Sequence, residues 1–71
     1  MKIEFTKQAA KYSEKAPESL QRRLEKAIEG ILIGSGDIQP LVGEENFFRL
    51  RVGGYRIVFM VDVLKDAVVI I

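Results

Sequence analysis

The stretch FFRLRVGGYRIVF, residues 47–59, decides the fold. Two runs rich in aromatic and β-branched residues flank Gly53-Gly54, and this pattern predicts a β-hairpin with a two-residue turn. A Gly-Gly pair suits a type I′ turn, in which both central φ angles are positive. The resulting register pairs Val52 with Tyr55, Arg51 with Arg56, Leu50 with Ile57, Arg49 with Val58 and Phe48 with Phe59.

Side chains alternate between the two faces of a strand, so this register separates an apolar face from a basic one. The apolar face is predicted to carry Phe48, Leu50, Val52, Tyr55, Ile57 and Phe59, and the basic face Arg49, Arg51 and Arg56. Like charges directly opposite each other cost about 0.2–1 kcal/mol, and no acid is predicted beside these arginines. The pattern favours a site for a polyanion, although arginines that merely solvate an exposed sheet face remain the alternative.

The composition is that of a single domain spanning residues 1–71, with ordinary globular balance and a net charge of +1. Because the whole chain is nearly neutral, the arginine cluster indicates a defined anionic site rather than a general nucleic-acid coat. Cysteine and histidine are both absent, and the adjacent acids Glu44 and Glu45 lack further ligands, so no metal or cofactor is predicted. No apolar run suits a membrane span or a signal peptide, and a cytoplasmic location with no membrane partner is expected.

The rest of the chain predicts two helices and further strands. A short strand is expected over residues 1–5, with Thr6 capping a first helix and Pro17 opening a second. The apolar positions of the second helix have helical spacing: Leu20, Leu24, Ala27, Ile28, Ile31 and Leu32. Residues 34–37 and Pro40 are expected to form a loop, and a turn at residues 64–66 precedes a last strand over residues 67–71. The predicted fold class is α+β with the order β-α-α-β-β-β, in which the two helices pack on one face of a small, mostly antiparallel sheet and the arginine face is uncovered.

Two segments of the chain resemble the RelE/ParE superfamily of toxins from type II toxin–antitoxin systems. These are Leu41-Val42-Gly43 and the stretch FRLRVGGYRIVF over residues 48–59. They are similar to a family pattern of Leu-x-Gly followed by a basic strand, a turn, and Tyr-Arg before an apolar strand. The order of strands and helices agrees as well, so the resemblance covers essentially the whole chain.

The resemblance implies a RelE-like mRNA interferase, an endoribonuclease that inhibits translation by cleaving mRNA in the ribosomal A site. Arg49 and Arg51 match the paired basic residues of the family's second strand, and Arg56 matches the arginine after the turn. The implied role of all three is both RNA binding and catalysis, through the scissile phosphate. The implied partners are a cognate antitoxin, the ribosome and mRNA. The alternatives are a ParE-like inhibitor of DNA gyrase and a catalytically inactive module that binds an antitoxin.

The family commonly carries a further arginine and a terminal Tyr or His beyond its last strand, and this sequence stops before those positions. The end of the chain within an apolar run suggests a C-terminally truncated form or an omitted disordered tail. The alternative is a natural short variant whose last strand ends the domain. No His is present, Tyr55 is expected to point inward, and the acids are expected to lie off the arginine face. The sequence therefore predicts no convincing proton-transfer group beside the arginines. The sequence thus predicts weak or absent cleavage by the 71-residue form.

Overall fold

A computed structural model describes residues 1–71, which form two helices and five strands. Their order is β1 (Lys2–Phe5), α1 (Lys7–Lys15), α2 (Glu18–Ile31), β2 (Asp37–Pro40), β3 (Phe47–Val52), β4 (Tyr55–Asp62) and β5 (Ala67–Ile70). The predicted α+β layering is confirmed, because both helices lie on one face of a single sheet. The sheet has one strand more than predicted, namely β2. No helix is long and apolar enough to cross a membrane.

Both helices begin within one residue of the predicted position. The Thr6 hydroxyl accepts a hydrogen bond from the Ala9 amide at 3.2 Å, which satisfies one of the free donors at the start of α1. Pro17 occupies the position just before α2, one residue earlier than predicted. Four of the apolar positions predicted for the second helix are buried, namely Leu20, Leu24, Ile28 and Ile31. Leu32 is instead exposed; it lies just past the end of α2 at Ile31.

The sheet has the strand order β1-β5-β4-β3-β2, in which β1 pairs with β5 in parallel and all other neighbours are antiparallel. The predicted hairpin register is confirmed for every pair, including Arg51 opposite Arg56. The predicted turn type is wrong, since of the two central turn residues Gly53 has a positive φ, of 59°, and Gly54 does not. A positive φ at the first central residue alone is the pattern of a type II′ turn, which also matches the twist of a hairpin.

Strand β2 was predicted as loop. It is four residues long, follows a glycine and ends in Pro40, so no local pattern marks it as a strand. Its pairing with β3 sets Ile38 opposite Leu50 and thereby brings an apolar side chain against the core. A proline is tolerated at the end of β2 because β2 is an edge strand of the sheet. The N–H group that proline lacks is therefore not needed for hydrogen bonds between interior strands.

The core lies between α2 and the helix-facing side of the sheet. Its buried members are Leu20, Leu24, Ile28, Ile31, Leu50, Ile57, Phe59, Val68 and Ile70. Phe48 stacks on Phe59 with ring centroids 5.5 Å apart, so the predicted apolar face of the hairpin is largely confirmed. Tyr55 is the exception at 40 % exposed. It occupies the apolar face by register, but it lies at the tip of the hairpin, beyond the buried cluster.

Candidate anion-binding site

The sheet face opposite the helices carries the three hairpin arginines in two short rows across neighbouring strands. One row runs from β2 through β3 to β4 as Asp37, Arg51 and Arg56, which are successive cross-strand partners. The second row is Gln39, Arg49 and Val58. Directly opposed side chains on adjacent strands have Cβ atoms about 4.5–5.5 Å apart, so the rows bring the polar groups together.

These side chains line a small cavity of about 90 Å³. Its lining consists of Asp37, Gln39, Arg49, Arg51 and Arg56, with no apolar residue among them. All five are exposed. Guanidinium groups match phosphate oxygens through paired hydrogen bonds and stay charged at any physiological pH. The prediction that the three arginines are neighbours on one face agrees with this cavity, which all three line.

The arginines of this cavity have no ion-pair partner. The ion pairs of the molecule lie elsewhere, between the Met1 amino group and Asp66, between Lys2 and Glu4, and between Arg22 and Glu18. Arg49 donates a hydrogen bond from Nη2 to the Gln39 Oε1 atom at 3.2 Å, a neutral contact that leaves its charge uncompensated. With three guanidinium groups against one carboxylate, the cavity keeps a net positive charge, which suits an anionic ligand.

The expectation that no acid lies beside the arginines is wrong. Asp37 is the direct cross-strand partner of Arg51 and lines the same cavity. The sequence could not place it there because Asp37 belongs to the unpredicted strand β2. The one available signal was the alternation of polar Asp37, apolar Ile38 and polar Gln39, which is too short to distinguish a strand from a loop.

Neither of the two tyrosines of the chain lines this cavity, so their hydroxyl groups are not placed to transfer a proton there. Tyr55 is exposed at the hairpin tip and Tyr12 is exposed on α1. The adjacent acids Glu44 and Glu45 lie in the loop between β2 and β3, and no group of three or more His, Asp or Glu side chains is arranged to hold a metal ion.

A second, larger concavity lies between the two helices and the ends of β4 and β5. It has a volume of about 680 Å³, and apolar residues predominate in its lining. Tyr12 and Leu24 line its helical wall, and Ile57 and Ile70 line its sheet wall. Arg56 borders both concavities, so the apolar groove begins where the basic cavity ends.

The sequence matches a family model over residues 3–71, described as the ParE toxin of the type II toxin–antitoxin system parDE. The chain belongs to the ParE toxin family. No curated protein gives a significant match.

Two solved structures of RelE toxins are similar to this ParE-family toxin. The structure of an arginine-to-alanine double mutant of E. coli toxin RelE in the free state is 26% identical, with a TM-score of 0.81, and the match covers 99% of this chain and 77% of that one. The archaeal RelE-RelB complex from Pyrococcus horikoshii OT3 contains a chain that is 23% identical, with a TM-score of 0.76, covering 97% of this chain and 86% of that one. The second likeness establishes the fold alone. The predicted recognition of a RelE/ParE toxin is confirmed.

Replacement of Gln39 by Glu is expected to weaken the binding of a phosphate-bearing strand at this cavity. The new carboxylate would lie within hydrogen-bonding distance of Arg49 and offset one of the three positive charges. The slope of log affinity against log salt should become shallower by about 0.7, the contribution of one phosphate contact with a single strand. A non-cleavable, 2′-deoxy-substituted RNA in a salt titration measures this change. Gln8→Glu on α1 makes the same charge change on an exposed residue that lies outside the cavity, and an equal loss in that variant would contradict the prediction.

Proposed function

We propose that this toxin is a ribosome-dependent mRNA endonuclease of the RelE kind, which binds the scissile phosphate on the uncovered face of its sheet. The observation that carries this proposal is the cavity lined by Arg49, Arg51 and Arg56, three arginines without ion-pair partners. The overall likeness to E. coli RelE supports it. The roles of the arginines in RNA binding and catalysis belong to this proposal.

The cavity suits the chemistry of 2′-hydroxyl attack on the adjacent phosphate. As the new P–O bond forms and the bond to the 5′-oxygen breaks, negative charge grows on the phosphoryl oxygens. Guanidinium groups beside those oxygens would stabilise this charge more than the charge of the ground state, and such electrostatic stabilisation is commonly the largest contribution to catalysis. Arginines remain protonated throughout, so their contribution is electrostatic rather than acid–base.

The toxin is also proposed to bind a cognate antitoxin through the groove between its helices and strands. The groove offers apolar contacts for a segment that folds on binding, and Arg56 at its border offers a charge for an acidic residue of that segment. The archaeal relative was solved as a RelE-RelB complex, which supports a partner of this kind. Co-purification with the product of the neighbouring gene is the expected result, and recovery of the toxin alone would contradict it.

Inhibition of DNA gyrase is the second candidate function. It is favoured by one observation, namely that the matching family model is that of ParE rather than RelE. In that case the arginine face would bind a protein or DNA surface, and no RNA would be cut. A catalytically inactive module that binds only an antitoxin would show neither activity.

A translation-coupled assay distinguishes these functions. The purified toxin is added to a reconstituted translation system, and cleavage sites on the mRNA are mapped by primer extension. The proposal predicts that the mRNA is cut within codons and only when ribosomes are present. A parallel supercoiling assay should show unchanged gyrase activity. Intact mRNA together with inhibited supercoiling would overturn the nuclease proposal in favour of the second candidate.

A further inference from the structure

We infer that Asp37 is the general base of the proposed cleavage reaction and that the RNA crosses the sheet from β2 towards β4. This inference rests on the proposed endonuclease function. It assigns a proton-transfer group to a toxin that has no histidine, and it gives the three residues of one row separate roles.

The row Asp37, Arg51 and Arg56 has the geometry that an in-line displacement needs. Its members are successive cross-strand partners. Neighbouring strands are about 4.8 Å apart, so Asp37 and Arg56 are on strands about 10 Å apart with Arg51 between them. A phosphodiester bound above Arg51 can therefore direct its 2′-oxygen towards Asp37 and its 5′-oxygen towards Arg56. Arg49, in the adjacent row, is positioned beside the remaining phosphoryl oxygens.

The assigned step balances in protons and electrons. The Asp37 carboxylate takes the proton of the 2′-hydroxyl while the 2′-oxygen forms its bond to phosphorus. The P–O bond to the 5′-oxygen breaks, and that oxygen, stabilised by Arg56 as charge develops, takes a proton from water. The products are a 2′,3′-cyclic phosphate and a 5′-hydroxyl, and Asp37 returns its proton to solvent.

No other residue of the chain is as well placed to serve as the base. The cavity contains one carboxylate, that of Asp37. Asp62 shares the open face by register but is six residues from Arg56 along β4, a separation of about 20 Å. Tyr12 and Tyr55 do not line the cavity, and Glu44 and Glu45 lie outside it in the loop before β3.

The test is the Asp37→Asn variant, in which cleavage should fall while binding is not weakened. Loss of the negative charge beside Arg51 should leave ribosome and mRNA affinity unchanged or make it tighter. Loss of the base should lower the single-turnover cleavage rate on mRNA-programmed ribosomes by about 10²–10⁴-fold. Asp37→Glu should retain part of the rate, and Glu44→Gln, which removes an acid outside the cavity, should match the wild type. Circular dichroism of each variant establishes that the fold is retained.

A second substrate tests the direction of the RNA. Sulfur in place of the bridging 5′-oxygen makes a leaving group that needs little stabilisation, so this substrate should restore most of the rate lost in Arg56→Gln and little of that lost in Asp37→Asn. Equal restoration of both variants would overturn the assignment.

The outcomes separate this inference from the function on which it rests. Wild-type cleavage together with an Asp37→Asn variant that cleaves as fast or faster would show that the carboxylate only opposes the bound phosphate, and the inference would fail alone. A wild-type toxin that leaves mRNA intact would remove the endonuclease proposal and the inference together.

Discussion

The variant with Gln at positions 49, 51 and 56 is expected to lose its affinity for mRNA and the ribosome while keeping its fold. The three arginines supply the positive charge of the cavity, and none of them takes part in an ion pair or the buried core. Removal of three phosphate contacts should reduce the salt dependence of single-strand RNA binding by about 2 in slope, three times about 0.7. Cleavage should fall below detection, because both binding and transition-state stabilisation are lost.

The same variant should unfold at an equal or slightly higher urea concentration than the wild type. The cross-strand pair of Arg51 and Arg56 opposes two like charges, and their replacement relieves about 0.2–1 kcal/mol of unfavourable interaction. The matched control replaces Lys7, Lys11 and Lys15 of α1 with Gln, which makes the same change in net charge outside the cavity. Unchanged RNA affinity in the arginine variant, or an equal loss in the lysine control, would remove the functional interpretation of this face.

Replacement of Leu50 by Ala is expected to cost about 3–4 kcal/mol of the free energy of unfolding. Leu50 is 2 % exposed and has Ile38 and Ile57 as its cross-strand partners, so truncation leaves a cavity between two strand neighbours. A domain of this size has a total stability of roughly 4–11 kcal/mol, at about 0.05–0.15 kcal/mol per residue. The substitution should therefore remove from roughly a third to most of the stability of the domain.

Urea unfolding followed by circular dichroism measures this loss. Val42→Ala is the control, because Val42 is fully exposed in the loop after β2 and its truncation should change stability by less than about 0.5 kcal/mol. Because Leu50 lies between Arg49 and Arg51 in β3, RNA binding should fall with the folded fraction. Equal midpoints for the two variants would show that the apolar face of the hairpin is not the core.

The sequence by itself determined the hairpin and its arginine face, because both depend on local rules. A two-residue turn at Gly53-Gly54 sets the register, and strict alternation then assigns every side chain to a face. Local rules also marked both helix starts: Thr6 provides a side-chain cap, and Pro17 with Glu18 favours the first turn of α2. These features depend on residues only a few positions apart, so they can be inferred without knowledge of distant contacts.

Only the tertiary structure decided that β2 exists and that Asp37 and Gln39 complete the cavity. The four-residue segment Asp37–Pro40 is too short for its alternation to distinguish a strand from a loop. It becomes a strand because β3 offers a free edge for hydrogen bonds and because Ile38 gains burial against the core. Tertiary packing likewise left Tyr55 exposed, since the buried cluster does not extend to the hairpin tip. The three arginines of the site could thus be predicted from neighbouring residues of the hairpin. The position of its one carboxylate could not, because Asp37 reaches the site through pairing with Arg51, which is distant in sequence.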